Sequence, residues 1–170
     1  AVLTRDTQLA ERIKRLRNGG QSSRYHHDEA GVNSRLDEVQ AAILRARLPF
    51  LQKWTERRRL IAARYRLELA NSAVHVPQEF DAGHVYHLFP VLTEHRDAFQ
   101  AYMRDRGIET LIHYPVPIHL QEAYGSLGVK RGSLPVSERA AEEILSLPMF
   151  PELTEQQVET VIREVKAVAR

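Results

Sequence analysis

The amino-acid sequence predicts an α/β protein, arranged as an α+β sandwich, on three observations. Helical and strand-like hydrophobic patterns alternate along the 170 residues. No internal repeat or low-complexity tract interrupts this alternation. The composition, with 43% hydrophobic and 27% charged residues and no cysteine, is typical of a globular chain that buries a core without disulfides. We therefore expect helices and strands to pack in layers around that core.

The first predicted element is a short amphipathic helix. Apolar residues recur at helical spacing from Thr4 to Arg17, and Thr4 or Asp6 can cap the start. The polar, histidine-rich residues 21–31 lack this period, so they predict an extended or looping segment.

A long helix, kinked or broken at a proline, is predicted next. Ser34 followed by Asp37 resembles a capping box, and an apolar face follows as far as Leu48. Helical spacing resumes after Pro49 and continues to Leu69. The arginines of this part lie mostly off its apolar stripe and predict a solvated helix face. Because the formal net charge is only +2, a nucleic-acid surface is the weaker alternative.

The second half of the chain predicts a strand, a helix and a strand in succession. Residues 84–92 and 108–114 are rich in β-branched and aromatic side chains. They flank a helical pattern for which Gly107 is the natural end. The segment 114–119 contains two alternating prolines, which predict an extended, rigid loop that holds its side chains in place.

Two further helices are predicted toward the C-terminus. One follows Ser137 and includes Ile144 and Leu145, and residues 147–150 then form an edge or loop segment because of their prolines. The last helix has the clearest signals, a capping box of Thr154 and Gln157 followed by valines along one face.

Common catalytic and metal-binding motifs are missing from the sequence. It contains no nucleophile elbow, phosphate loop or dinucleotide fingerprint. Adjacent or strand-spaced histidines diverge, so we expect no metal site; the pairs are His26 with His27 and His84 with His87. No lysine has a setting that would activate it as a Schiff-base nucleophile; the four are Lys14, Lys53, Lys130 and Lys166. The apolar runs are too short to span a bilayer.

Two segments could bind a ligand. Asn33-Ser34-Arg35 lies at a predicted helix start, where unpaired N–H groups favour phosphate, and plain capping is the alternative. His113, Tyr114 and His119 surround the proline loop, where they could reach a ligand or serve a structural role.

Several ordered motifs resemble the sugar-nucleotide aminotransferases of the DegT/DnrJ/StrS family. They occur in the family's order and approximate spacing, at residues 31–42, 57–65, 85–89, 112–121 and 145–151. The resemblance covers essentially all of this chain but only the C-terminal part of the family's chain. It implies the fold type I, aspartate aminotransferase-like fold of pyridoxal phosphate (PLP) enzymes. Residues 1–34 would end the large PLP-binding domain, and residues 35–170 would form the small C-terminal domain with the long interdomain helix.

The resemblance also implies roles for individual residues. Asn33 matches an asparagine that reaches across a dimer interface toward the partner subunit's cofactor phosphate. Arg35 matches an arginine near the nucleotide sugar, whereas His113 and Tyr114 match a pair near its diphosphate; His119 lies on the same loop. The Schiff-base lysine would lie upstream of the chain, which therefore has no catalytic residue of its own and is predicted to be inactive alone.

The function implied by the resemblance is transfer of an amino group from an amino acid, glutamate, to a nucleotide-linked keto sugar. The enzyme would be a cytoplasmic homodimer of polysaccharide biosynthesis that binds PLP and neither nucleic acid nor membranes. The alternative is a lysine-less fragment that acts as a nucleotide-sugar-binding or interaction module. A segment built for a larger enzyme should expose apolar surface on its first helix and on the helix after Leu36.

Overall fold

The computed structural model describes residues 2–168 and has a mixed α/β architecture, which confirms the predicted class. Ala1, before which the Schiff-base lysine is expected, lies outside the described residues, as do Ala169 and Arg170. The chain divides into two compact units, one ending at Phe50 and one beginning at Leu51. None of the described helices has the length and apolar character needed to cross a membrane.

The first unit opens with helix α1, Thr7–Leu16, followed by a small hairpin of β1, Gln21–Ser23, and β2, His26–His27. The side chain of Asp6 accepts hydrogen bonds from the backbone N–H groups of Gln8 and Leu9, at 2.9 and 3.1 Å. This contact confirms one of the two predicted caps, because the side-chain oxygen satisfies donors that the first turn leaves unpaired. The extended segment predicted after α1 is confirmed as well.

Two glycines allow the chain to return closely to the end of α1. Gly20 has φ +78°, and a Cβ at this position would lie 1.6 Å from the carbonyl oxygen of Glu29. A Cβ on Gly31 would lie 2.2 Å from the backbone nitrogen of Gly20. Any side chain at either position would therefore force these segments apart.

Helix α2, Glu38–Arg47, begins later than the sequence predicts. Ser34 is not its cap; it lies in the segment that returns to α1, where its backbone N–H donates to the carbonyl of Arg17 at 2.8 Å. Asp37 occupies the capping position without a side-chain hydrogen bond. The tertiary pairing of residues 32–34 with the end of α1 overrides the local capping signal. A 3₁₀ turn at Leu48–Phe50 contains Pro49, which confirms the predicted break.

The second unit packs helices around a two-stranded antiparallel sheet. The helices are α3, Leu51–Leu69; α4, Arg96–Asp105; α5, Pro135–Glu143; and α6, Glu155–Ala167. Strand β3, Phe89–Leu92, pairs with β4, Ile144–Leu147, from Phe89 opposite Leu147 to Leu92 opposite Ile144. The core contains the buried side chains Ile61, Tyr65, Leu69, Val91, Met103, Leu145, Val158 and Val165. The predicted capping box of α6 is confirmed, with both reciprocal contacts between Thr154 and Gln157 present.

Three secondary-structure predictions in this unit are wrong. Residues 84–88 are not a strand, because their carbonyl groups accept hydrogen bonds from arginines of α3 instead of from a neighbouring strand. Arg59 donates to the carbonyl of His84, and Arg58 donates to those of Tyr86 and His87. Residues 108–114 form only an isolated bridge between Leu111 and Ser146. Ile144 and Leu145 belong to a strand rather than to the preceding helix, since they complete the sheet with β3.

The arginines of α3 are structural rather than a simple solvated face. Arg57 binds Glu155 and the carbonyl of Leu153, both at 2.7 Å, and Arg64 binds Glu155 at 3.0 Å. These contacts join α3 to α6. Arg58 donates to three backbone carbonyls, those of Tyr86, His87 and Met149. All three contacts are made by Nη1, so its two N–H groups are shared among the three carbonyls.

Candidate functional site

The five candidate site residues fall into two groups, one in each unit. Asn33 and Arg35 lie together in the first unit, before α2. His113, Tyr114 and His119 lie in the second unit, around the proline loop. Each group has its own geometry.

Asn33 and Arg35 are in direct contact. Arg35 Nε donates to Asn33 Oδ1 at 3.0 Å, and both side chains are exposed. The backbone of Asn33 forms a bridge with that of Asn18, just after α1. The prediction that this segment stands at a helix start is wrong, since α2 begins only at Glu38. Asn33 is therefore held by the return of the chain toward α1, and not by a helix N-terminus.

The donor chemistry of this pair fits a phosphate group, which is the ligand group that the family resemblance implies for Asn33. The carbonyl oxygen of Asn33 is used by Arg35, so the group that Asn33 can offer to a ligand is its amide NH₂. The guanidinium beside it adds a fixed positive charge and further N–H donors. An anion with several oxygen acceptors is the ligand class that matches two such side chains.

His113 is oriented by the sheet of the second unit. Its Nδ1 lies 3.0 Å from the hydroxyl oxygen of Ser146, a residue of β4 that is only 5% exposed. The ring of Tyr114 packs edge to face against His113, with centroids 5.5 Å apart. Tyr114 itself is 73% exposed, so its hydroxyl is accessible to a ligand. The imidazole of His113 is thus held in place, whereas the hydroxyl of Tyr114 is open to a ligand.

His119 is fixed by a carboxylate that the sequence analysis did not single out. Its Nε2 lies 2.9 Å from Oε1 of Glu138 on α5. Glu138 also accepts the backbone N–H groups of Gly132, at 2.8 and 2.9 Å, and of Leu134, at 3.2 Å. The backbone N–H of Gly132, then His119, and then the N–H of Leu134 lower the pKa of the Glu138 carboxyl below its ordinary value. A glutamate in the first turns of a helix after a glycine-containing loop is the sequence signal that could have found it.

Two clefts border these residues. One, of about 640 Å³, is lined by His113, Ser146, apolar residues of the chain after β4 and mostly polar residues of α6. The other, of about 750 Å³, is lined by the proline loop, including His113, Tyr114 and His119. His113 borders both clefts, whereas His119 borders only the second.

The described residues contain neither a metal-binding cluster nor a lysine in a setting suited to Schiff-base formation. Within residues 2–168, no group of three or more His, Asp or Glu side chains is arranged to hold a metal ion. All four lysines are exposed, and two of them pair with carboxylates: Lys14 with Glu11, and Lys166 with Glu68. These lysines therefore lack the desolvation that activates a Schiff-base lysine.

The apolar surface expected of a segment from a larger enzyme is present. Neither α1 nor α2 contains a buried residue. On α2, Val39, Ile43 and Leu44 are all more than half exposed, and Leu36 just before it is as well. A helix with apolar residues and no buried side chain indicates a surface that packs against something else in the complete molecule.

Comparison with known proteins identifies relatives along the whole chain. The profile of the DegT/DnrJ/EryC1/StrS aminotransferase family matches residues 1–166. A protein of Geobacillus stearothermophilus named pleiotropic regulatory protein is 46% identical over 168 residues, which cover 96% of this chain and 45% of the relative. The dTDP-3-amino-3,4,6-trideoxy-alpha-D-glucose transaminase of Streptomyces venezuelae is 46% identical over 168 residues, covering 98% of this chain and 44% of the relative.

A solved structure agrees with this relationship. The crystal structure of S. venezuelae DesV in complex with a ketimine intermediate superposes with a TM-score of 0.89 and 45% identity. The match covers 96% of this chain and 45% of that chain. The present chain thus spans somewhat less than half the length of the relatives that it matches.

Proposed function

The chain belongs to the DegT/DnrJ/EryC1/StrS aminotransferase family, and we propose that it is the C-terminal segment of a PLP-dependent sugar-nucleotide aminotransferase. The complete enzyme would move an amino group from glutamate to a keto sugar linked to a nucleotide. The observation that carries this proposal is the family match over residues 1–166, which includes every candidate site residue. The Streptomyces venezuelae relative is named for a dTDP-linked amino sugar, which supports a nucleotide sugar as the substrate class.

In this reaction, PLP supplies the electron sink, and the protein supplies binding, orientation and proton transfer. Asn33 would reach across the dimer interface and hold the phosphate of the partner subunit's cofactor through its amide N–H groups, with its carbonyl oxygen oriented by Arg35. Arg35 would bind the nucleotide sugar, since a planar guanidinium can pair with two phosphate oxygens at once. His113 and Tyr114 would contact the diphosphate. His119, on the same loop, would contribute to binding of the same substrate.

The architecture of the complete protein is part of the proposal. Residues 1–34 would end the large PLP-binding domain, and residues 35–170 would form the small domain of a fold type I enzyme. The enzyme would work as a homodimer in the cytoplasm, and its product would serve polysaccharide biosynthesis. The exposed apolar residues of α2 support this assignment, because an unpartnered face requires a covering surface.

The alternative function is that of a nucleotide-sugar-binding or interaction module without independent catalysis. The absence of an activated lysine among the four in this chain favours it. The name of the Geobacillus stearothermophilus relative also refers to regulation rather than to catalysis.

The coding sequence upstream of Ala1 separates the two proposals. Residues 1–6 resemble those that follow a Gly-Asp-Gly-Gly segment in the family, so we expect an open frame that encodes this segment with a lysine shortly before it. Expression of that complete frame should then give a protein that binds PLP and transfers the amino group of glutamate to a nucleotide-linked keto sugar. A stop codon followed by a start at this chain would overturn the enzyme proposal and leave the binding module.

Asn33→Ala in the complete protein tests the site within the same experiment. We expect a several-fold loss of PLP affinity, since one hydrogen bond to a charged group is removed. Asn71→Ala, at an exposed asparagine just after α3, is the control that should retain PLP like the unaltered protein. Equal retention of PLP by the unaltered protein, Asn33→Ala and Asn71→Ala would contradict the role of Asn33.

A further inference from the structure

The loop that carries the proposed diphosphate contacts ends in a 3₁₀ turn, Ile118–Leu120, closed by the N–H groups of Leu120 and Gln121 on the carbonyls of Pro117 and Ile118. Before this turn, the loop has few hydrogen bonds of its own. Pro115 and Pro117 lack backbone donors, and residues 114–116 are exposed. Within this loop, the carbonyl of Val116 accepts a 3.3 Å contact from the exposed Gln121 side chain. The two histidines that border the loop make the contacts that reach other elements of the unit: His113 with Ser146, and His119 with Glu138.

Glu138 connects three parts of the second unit. Its carboxylate accepts from the turn before α5, through the N–H groups of Gly132 and Leu134, while it is itself a residue of α5. Its remaining contact is the imidazole of His119 at 2.9 Å. The side chains of His119 and Glu138 are only 8% and 10% exposed. An ion with so little access to water must be compensated by such donors, so the contacts form a connected network.

The donor in the His119 contact follows from this chemistry. An ionised carboxylate can only accept hydrogen bonds. Nε2 of His119 therefore carries a hydrogen and donates a hydrogen bond to Oε1 of Glu138. Two other charged residues, Arg131 and Glu142, line the same small cavity as Glu138. Arg131 and Glu142 pair with each other at 3.7 Å, and both are largely exposed. The negative charge of Glu138 is therefore balanced by the backbone donors and His119.

We propose that Glu138 is a positioning residue for the nucleotide-diphosphate loop, acting through His119 to hold residues 113–119 in their binding arrangement. The inference rests on the proposed function of that loop and adds a residue with no contact to the substrate. Glu138 fixes the C-terminal end of the loop, as Ser146 fixes its N-terminal end at His113. Both anchors lie on secondary structure, on α5 and β4, which is why the exposed loop between them keeps a defined shape.

The first test examines the loop in the chain itself by NMR, without substrate. His119→Ala removes the link to the loop but leaves the backbone contacts of Glu138 in place, so the variant should fold. We expect amide shift changes at all the non-proline residues of 113–119, with the amides of Gly132 and Leu134 still protected from hydrogen exchange. His119→Gln, whose amide N–H can reach the same carboxylate, should restore the shifts. Changes confined to residue 119 and its two neighbours would overturn the proposal.

The second test uses the complete enzyme, with Glu138→Gln compared with Glu142→Gln on the exposed face of the same helix. In Glu138→Gln, one carboxylate oxygen becomes an NH₂ group that faces existing N–H donors. We expect KM for the nucleotide sugar to rise about tenfold, while the half-reaction with glutamate keeps its rate. Glu142→Gln should match the unaltered enzyme. Equal losses in both half-reactions of Glu138→Gln would show a merely structural role and overturn the proposal.

The two tests keep this inference separate from the proposed function. If the unaltered complete protein transfers no amino group, the proposed function fails, whatever the NMR result. If it is active but His119→Ala leaves the loop unchanged, only the positioning role of Glu138 fails.

Discussion

The imidazole Nδ1 of His113 lies 3.0 Å from the hydroxyl oxygen of Ser146, so a buried residue of the sheet orients a side chain of the proposed nucleotide site. Ser146 pairs with Pro90 of β3, and its backbone also forms the bridge with Leu111. The position of His113 therefore depends on the sheet rather than on the proline loop alone. The same sheet supplies the rigid support that binding residues need.

Ser146→Ala should release the ring of His113. The lost hydrogen bond is worth about 0.5–1.5 kcal/mol of the free energy of unfolding. In ¹⁵N spectra of the histidine rings, we expect the two nitrogens of His113 to change shift, because Nδ1 loses its partner. Ser126→Ala, at an exposed serine, is the control that should leave the ring unchanged. An unaltered His113 spectrum in Ser146→Ala would contradict the contact.

Leu69→Ala should destabilise the second unit strongly. Leu69 is fully buried at the end of α3, and truncating a buried leucine costs about 2–5 kcal/mol through lost burial and a cavity. Leu67→Ala on the same helix is the matched control, since that side chain is 79% exposed; its effect should stay within about 0.5 kcal/mol. Urea unfolding followed by circular dichroism measures both. Similar losses in the two variants would mean that α3 packs through a different face.

Arg58→Ala should cost more than the loss of an ordinary surface arginine. Three backbone carbonyls lose their donor, and we expect a decrease of about 2–4 kcal/mol in the free energy of unfolding. Arg58→Lys should recover only part of this loss, because an ammonium cannot reproduce the planar set of donors. Chemical unfolding gives the values, with the exposed Arg131→Ala as control. A cost for Arg58→Ala no larger than that of the control would refute a structural role.

The ion pairs of Glu155 should make stability decline in acid. A hydrogen bond and the charge of Arg57, together with Arg64, hold the pKa of the Glu155 carboxyl below its ordinary value of 4.5. The folded state thus favours the ionised carboxylate, so the contribution to stability is complete above about pH 4.5 and is lost as pH falls through the lowered pKa. We expect Glu155→Gln to be less stable than the unaltered chain at pH 7.

The difference between Glu155→Gln and the unaltered chain should shrink progressively below pH 4.5. Unfolding midpoints measured from pH 7 to pH 3 would show this convergence. Glu152→Gln, at an exposed residue before α6, should follow the unaltered chain throughout. A gap that stays constant with pH would rule out the ion pairs as its cause.

The apolar face of α2 should make the isolated chain self-associate. Val39 is 71% exposed and Ile43 is 53% exposed, and exposed apolar residues of this kind promote association. A Val39→Gln, Ile43→Gln variant should shift sedimentation profiles toward the monomer. Val136→Gln, at an equally exposed valine of α5, controls for general surface polarity. Association that persists in the double variant would show that a surface other than the apolar face of α2 mediates it.

Several features of the fold were predictable because neighbouring residues decide them. The cap of α1 by Asp6, the break at Pro49 and the capping box of Thr154 with Gln157 were all confirmed. Each depends on side-chain-to-backbone contacts or on ring geometry within a few residues. Their signals are therefore complete in the local sequence.

Other features were wrongly predicted because distant residues decide them. Ser34 has a good capping sequence, but its segment pairs with the end of α1, where its backbone N–H donates to the carbonyl of Arg17. Residues 84–88 have the composition of a strand, but Arg58 and Arg59 bind their carbonyls. Leu145 carries a helical pattern, but its strand pairs with β3. In each case, a long-range hydrogen bond outweighs the local preference.

The sequence by itself determined the α/β class, the helix boundaries set by caps and proline, and the family motifs that contain Asn33, Arg35, His113, Tyr114 and His119. Only the tertiary structure decided which groups hold those residues: Ser146 for His113, Glu138 for His119, and the return of the chain to α1 for Asn33. The physical reason is range. Caps and periodicity act over one or two turns, whereas a hydrogen bond between residues 19 or 33 positions apart exists only after the chain has folded.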